Sequence, residues 1–123
     1  MKILIDTHIF LWMLSWPEKL DEKRRYELES PSNEVLLSAM SIAELMIKSS
    51  IGKIKIEFDP IEMSQKMRVN ILDFSGIHAM ALGKLPLFHK DPFDRMIIVQ
   101  ALCNNLALMS DDSKFVNYNC KLI

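Results

Sequence analysis

The stretch His89-Lys-Asp-Pro-Phe-Asp-Arg-Met-Ile-Ile-Val-Gln-Ala101 decides how the chain is read. Asp91 is a favourable N-cap and Pro92 suits the first helical position. Asp94 falls at the third, where a carboxylate can reach back to the N–H of the cap. From Met96 to Cys103 only Gln100 is polar, so the helix that starts here is covered nearly all round and lies against a sheet. Two acids therefore stand at the mouth of a buried helix. Taken alone, they read as a capping box at the positive end of a helix dipole.

Outward from this helix, short apolar runs alternate with helical segments. Ile3 to Ile5 follow Lys2 as a run too brief for a helix and continuous enough for a strand buried on both faces. Asp6 ends it, a helix through Thr7 to Leu14 follows, and Pro17 stops that helix. Residues Leu20 to Leu28 favour a helix, with Lys23, Arg24 and Arg25 as a solvated face. Val35 to Leu37 form a second strand. Ser41-Ile-Ala-Glu44 then repeats the capping-box pattern at the head of a helix running to about Ser50. After Gly52, Lys53 to Phe58 alternates polar and apolar as a short extended segment. Pro60 opens a helix to about Arg68, Asn70 to Phe74 make a third strand, and a helix spans Gly76 to Lys84. The helix beginning at Pro92 ends near Asn105, a residue suited to a left-handed C-cap. Leu106 to Met109 form a fourth strand, Asp111 or Asp112 caps a last short helix, and Cys120 to Ile123 are a candidate fifth strand.

This order implies an α/β fold: one domain over residues 1–123, with a mainly parallel four- to five-stranded sheet covered by helices on both faces. A chain of 123 residues, half of them hydrophobic, suits one core and leaves no room for a second. The opening MKILIDTHIFLWMLSW is interrupted by Asp6 and His8 and lacks a cleavage pattern, so it reads as structure rather than a signal peptide. No apolar run approaches the ~20 residues that span a bilayer, so no membrane is expected. Cys103, placed in the buried helix, and Cys120 have neither zinc-pair spacing nor the density of a disulfide scaffold. Reduced thiols and a cytoplasmic location are the expectation.

In such sheets ligands bind beyond the carboxyl ends of the strands. Asp6, Glu44, Asp94 and Asp112 all occupy strand-to-helix connections, which puts them on that rim. A cap is worth about 1 kcal/mol, and Ser, Thr or Asn supplies one without charge. Two carboxylates ~6 Å apart at an effective dielectric of ~20 repel by roughly 3 kcal/mol, so repulsion among four outweighs capping unless the acids are protonated, far apart or neutralised. A divalent cation is the economical neutraliser, and an all-oxygen set suits Mg²⁺ or Mn²⁺ rather than zinc. Mg²⁺ commonly shares its shell with substrate phosphates. The net charge is −1, so the chain outside these four acids carries +3, compatible with a phosphate-rich ligand. Lys48, Lys90, Arg95 and Lys114 lie near the acids in sequence, although Lys48 also fits an i,i+4 pair with Glu44.

The segments LIDTHIFLW, SIAEL, HKDPFDRMIIVQA and LMSDDSKF, in this order and spacing, resemble the PIN-domain ribonucleases, especially the VapC-type toxins of VapBC toxin–antitoxin pairs. The resemblance covers essentially the whole chain. It implies a PIN-like nuclease domain in which Asp6, Glu44, Asp94 and Asp112 bind Mg²⁺ or Mn²⁺ and activate water for attack on an RNA phosphodiester. Asp6 and Asp94 are the firmest ligands under it, Glu44 orients water or binds metal, and Asp112 acts mainly through an outer-shell water. It further implies a homodimer and a small antitoxin protein as partner. Ser110 stands where the family more often has Thr, and Asp111 beside Asp112 leaves open which of the two faces the metal. Thr7 is a candidate to orient Asp6, and Asp91 and Arg95 are supporting candidates. His89, alone in its loop, reads as incidental, with assistance to protonation or a contact to RNA as the alternative.

Two other classes fit parts of the pattern. A receiver-type signalling domain shares the length and the alternation, but the first strand ends in one Asp followed by Thr and His, with no counterpart to an activating lysine. A phosphatase with an Asp nucleophile would need a second Asp two residues after Asp6. A metal-binding interaction module without turnover is the remaining alternative.

Overall fold

Four short strands, all parallel, form the middle layer of the computed structural model, which describes Met1–Ile123. They are β1 (Lys2–Ile5), β2 (Glu34–Ser38), β3 (Val69–Leu72) and β4 (Ala107–Met109), in the order β3-β2-β1-β4. The register sets Leu4 beside Leu36 on one side and Leu108 on the other. Six helices connect and cover the sheet: α1 (Thr7–Ser15), α2 (Glu22–Glu29), α3 (Ala39–Ser50), α4 (Pro60–Lys66), α5 (Gly76–Ala81) and α6 (Pro92–Cys103). A 3₁₀ segment, Ser113–Asn117, follows β4.

Apolar residues run without alternation in β1, so each face of the sheet must be covered. Ile3 and Ile5 point into a core with Ile9, Phe10, Leu37 and Leu45. Leu4 points the other way, into a core with Ile97, Ile98, Leu108 and Phe115. Helix α6 supplies the second core with a buried run, Ile97 to Ala101, in which even Gln100 has no exposure. Asn105, at φ 52°, makes the left-handed turn that returns the chain from α6 to β4.

Several expectations need correction. Cys120 to Ile123 do not form a fifth strand; the end of the chain makes an isolated parallel bridge between Leu108 and Leu122. Ser41 is not an N-cap. Ser38 caps α3 by accepting from the Met40 N–H, which places Ser41 and Glu44 inside the helix and leaves the buried Ser41 hydroxyl without a partner. The Lys53–Phe58 segment is irregular: Ile54, Ile56 and Phe58 rest against the first core, so alternation marked contact with a core rather than strand pairing. Cys103 lies at the exposed end of α6.

The two-faced burial of β1 is testable with adjacent residues. Leu4→Ala and Ile5→Ala are each expected to lower unfolding free energy by about 2–5 kcal/mol in urea titrations. A small loss at one of the two positions would show that face to be uncovered.

Candidate functional site

The carboxyl ends of β1 and β4 and the N-terminus of α6 form one rim, and backbone geometry carries acids to it. Asp6 follows β1 and caps α1, accepting from the Ile9 N–H at 2.8 Å. Asp91 caps α6, accepting from the N–H groups of Phe93 at 2.9 Å and Asp94 at 3.1 Å. Asp112 follows β4 and caps the 3₁₀ segment through the Lys114 N–H at 2.9 Å. Glu44 comes to the rim differently, from the second turn of α3.

Asp94 does not complete a capping box. The N–H of Asp91 donates instead to Nδ1 of His89, at 3.2 Å. Asp94 Oδ2 is left to face His89 Nε2 at 2.9 Å, and the same nitrogen meets Asp112 Oδ2 at 2.8 Å. His89, set aside from sequence, is thus 5% exposed at the centre of the cluster. Its signal lay in its position two residues before an N-cap, where a ring nitrogen can take the cap's amide. The loop carrying it is tied down. Tyr118 hydroxyl accepts from the N–H groups of Phe88 and His89 and donates to the Pro86 carbonyl at 2.7 Å.

The remaining candidates divide by partner. Thr7 donates to Glu44 Oε1 at 2.7 Å, so it orients Glu44 rather than Asp6. Lys48 binds the other Glu44 oxygen, Oε2, at 2.6 Å, the i,i+4 pair open from sequence. Ser110 Oγ accepts from the Asp112 N–H at 3.0 Å. Asp111 turns away to Arg24 at 3.2 Å, so Asp112 is the member of the pair that faces the cluster. Arg95 donates to the carbonyls of Leu85, Pro86 and His89 at 3.0–3.2 Å and braces the loop. Asp91 is likewise committed to its cap.

These surroundings treat the acids unequally. Burial pushes the Asp94 carboxyl up to about 7; the Asp91 charge adds to this, His89 opposes it, and Asp6 and Glu44 add further. Burial also raises Asp6, with the Asp112 charge in the same direction, against the Ser110 hydroxyl, the Ile9 N–H and His8. At Asp112 burial is outweighed by the Lys114 N–H and by His89, so its carboxyl lies below the usual range. The Lys48 ammonium is held above its usual range, first by its hydrogen bond to Glu44 against partial burial, with the charges of Glu44, Asp91 and Asp94 adding to it. Glu44 has a built-in counter-charge, whereas burial first, and then its acidic neighbours, oppose the ionisation of Asp94. The ligand atoms that lie close together are those of His89, Asp94 and Asp112, within 4.8 Å of one another, while Asp6 acts on Asp94 through its charge. The oxygens of Asp94 and Asp112 suit a hard divalent cation, and the ionisation that burial opposes at Asp94 is what a cation would favour.

Family comparison agrees with the topology. The PIN domain model matches residues 3–119, and the chain belongs to the PIN-domain family. No curated protein matches the chain by sequence. Among solved structures, VapBC2 from Rickettsia felis bound to a promoter DNA fragment superposes with a TM-score of 0.71 at 23% identity, over 100% of this chain and 98% of that one. VapBC-1 from nontypeable Haemophilus influenzae gives 0.65 at 21%, over 100% and 97%. A toxin–antitoxin complex from Klebsiella pneumoniae gives 0.66 at 19%, over 98% and 95%. Membership of this family removes the receiver and phosphatase alternatives.

The Asp94 environment sets a pH dependence. An aspartate titrating at 3.8 when unfolded and about 7 when folded takes up a proton on folding between those values. Its contribution to ion-free stability is therefore fully present below 3.8 and lost as pH rises through about 7. In EDTA, urea midpoints are expected to fall between about pH 4 and about pH 7, and Asp94→Asn is expected to flatten the fall. An equal slope in the variant would remove Asp94 as its source.

Proposed function

We propose that the protein is a divalent-metal-dependent endoribonuclease, the VapC-type toxin of a toxin–antitoxin pair. The observation that carries this reading is the trio Asp6, Asp94 and Asp112 on the carboxyl rim of a PIN sheet, with Asp94 opposed to ionisation by burial and by its acidic neighbours. Mg²⁺ or Mn²⁺ held there would lower the pKa of a bound water and polarise a phosphoryl oxygen. In this reading Asp6 and Asp94 are the principal ligands and Asp112 completes the site, directly or through water. Glu44 acts from just outside, since Thr7 and Lys48 already engage both of its oxygens. It holds the part-exposed Lys48 ammonium beside the carboxylates, where it would meet a substrate phosphate. Ser110 fixes the loop before Asp112.

The reading includes a homodimer, a small antitoxin protein and a cytoplasmic location with access to RNA. Support for the protein partners comes from the structural neighbours, which are VapBC structures, and from apolar side chains left at the surface. On α5, Ile77 and Met80 are 76% and 81% exposed, and Leu87 and Phe88 stand out on the loop before α6. No helix is long and apolar enough to cross a membrane.

The test is incubation of partner-free protein with total cellular RNA in Mg²⁺, Mn²⁺ or EDTA, beside a folded Asp94→Asn variant. Cleavage is expected only with metal, and the variant is expected to lose at least about 100-fold in rate, on the scale of removing a principal electrostatic group. Metal binding without cleavage of any RNA would instead make the protein an interaction module.

A further inference from the structure

We propose that His89 is the positioning residue of this site: an imidazole that donates from Nε2 to Asp112 and holds that carboxylate beside Asp94 from outside the coordination shell of the cation. The claim rests on the metal-dependent reading above, but it assigns a role which that reading leaves unfilled. The same side chains admit an opposite assignment. His89, Asp94 and Asp112 each present a ligand atom, all within 4.8 Å of one another. A histidine with two carboxylates is a plausible set for a transition metal, with Nε2 as ligand.

Proton bookkeeping on the ring decides between them. Nδ1 lies 3.2 Å from the backbone nitrogen of Asp91, and a backbone N–H can only donate. Nδ1 must therefore present its lone pair, which puts the single proton of a neutral ring on Nε2. Ligation through Nε2 would require that lone pair and would send the proton to Nδ1, against the Asp91 N–H. A histidine that binds metal normally donates its other N–H to an acceptor; here the other nitrogen faces a donor. Nε2 is thus a donor, and its acceptor is Asp112 Oδ2 at 2.8 Å. Asp94 Oδ2 lies 2.9 Å from the same nitrogen without a hydrogen bond to it, so the ring stands between the two carboxylates while its proton goes to Asp112.

The ring is fixed on every side. The His89 N–H donates to Tyr118 hydroxyl at 2.8 Å, its carbonyl accepts from Arg95 at 3.2 Å, and its ring meets the Phe115 ring edge-on at 5.7 Å. Asp91, whose amide sets the tautomer, is itself fixed as the cap of α6. The start of α6, the His89 ring and the Asp112 carboxylate form one hydrogen-bonded chain, which sets where Asp112 stands relative to Asp94 on the first turn of α6. Each Oδ2 keeps a further acceptor direction, and Asp94 also has Oδ1 to offer a cation.

The test is long-range proton–nitrogen NMR of the imidazole nitrogens in the full chain, in EDTA and then in Mg²⁺, with the His89 signal assigned by its loss in His89→Gln. Mn²⁺ binding is measured in parallel by electron paramagnetic resonance for the wild type, His89→Gln and His89→Ala. The Nε2–H tautomer is expected with and without Mg²⁺. Mn²⁺ affinity is expected to fall about 10–100-fold in His89→Ala, the usual scale for losing an outer partner of a ligand. His89→Gln, with a side-chain amide N–H to donate to Asp112 in place of Nε2, is expected to recover most of that loss. Transfer of the proton to Nδ1 on adding Mg²⁺ would overturn the proposal, as would wild-type affinity in His89→Ala or no recovery in His89→Gln. If His89→Ala lacks a cooperative melt, the tautomer and the Gln variant decide. RNA cleavage that persists while any of these results goes against His89 would sink the positioning role alone. A wild type that neither binds Mn²⁺ nor cleaves RNA would overturn both readings.

Discussion

Burial of both faces of β1 is the constraint on which the rest of the structure depends. Leu4 and Ile5 are adjacent, point to opposite sides, and are both fully buried. A strand in that position needs neighbours on both edges and helices on both faces. Parallel pairing with β2 and β4 means that each strand leaves the sheet at the same end, through a turn that must start a helix. Helix starts leave N–H groups unpaired, and short polar side chains there are the economical acceptors. The rim is therefore polar by necessity, before any chemistry is asked of it.

The fold then distributes countercharge unevenly among the acids it collects. Glu44 is satisfied within the chain, by Lys48 one helical turn away and by the Thr7 hydroxyl. Asp112 has His89 and the Lys114 N–H. Asp94 also meets His89, but three other acids outweigh that help, and burial weakens its solvation. Charge is thus left uncompensated at one place, where α6 abuts the ends of β1 and β4. Lys48 responds to the same field, since the charges of Asp91 and Asp94 add to the hold that Glu44 has on its proton.

Much of this was legible in the residues because it is encoded by local rules. The alternation of apolar runs and helices, Pro17 as a stop, Asp91-Pro92 as a start and Asn105 as a left-handed turn depend on a few neighbouring residues each. What failed depended on tertiary contact. The Ser41–Glu44 spacing matches a capping box, but Ser38 is also a good cap, and the chain starts the helix there because β2 ends there. Thr7 was aimed at Asp6, its neighbour in sequence, and bonds Glu44, 37 residues away. His89 carried no local pattern of its own; its role needs Asp112, 23 residues on, folded back against it. Arg95 suited a phosphate by charge alone, yet open carbonyls in the preceding loop claim its guanidinium.

Reading the acids either as caps or as a site proved a false choice. A carboxylate has two oxygens, and a cap uses one. Asp6 gives Oδ1 to Ile9, and Asp112 gives Oδ1 to Lys114 while Oδ2 faces His89. Capping fixes the side chain and leaves a second oxygen aimed along the rim. Asn would cap about as well at Asp6, without the charge that burial makes costly there, and Asp94, in the first turn of α6, caps nothing at all. The charge is therefore surplus to the helix starts. A proton or a cation can compensate it, and under the metal-dependent reading the caps at Asp6 and Asp112 orient the oxygens that a cation would meet.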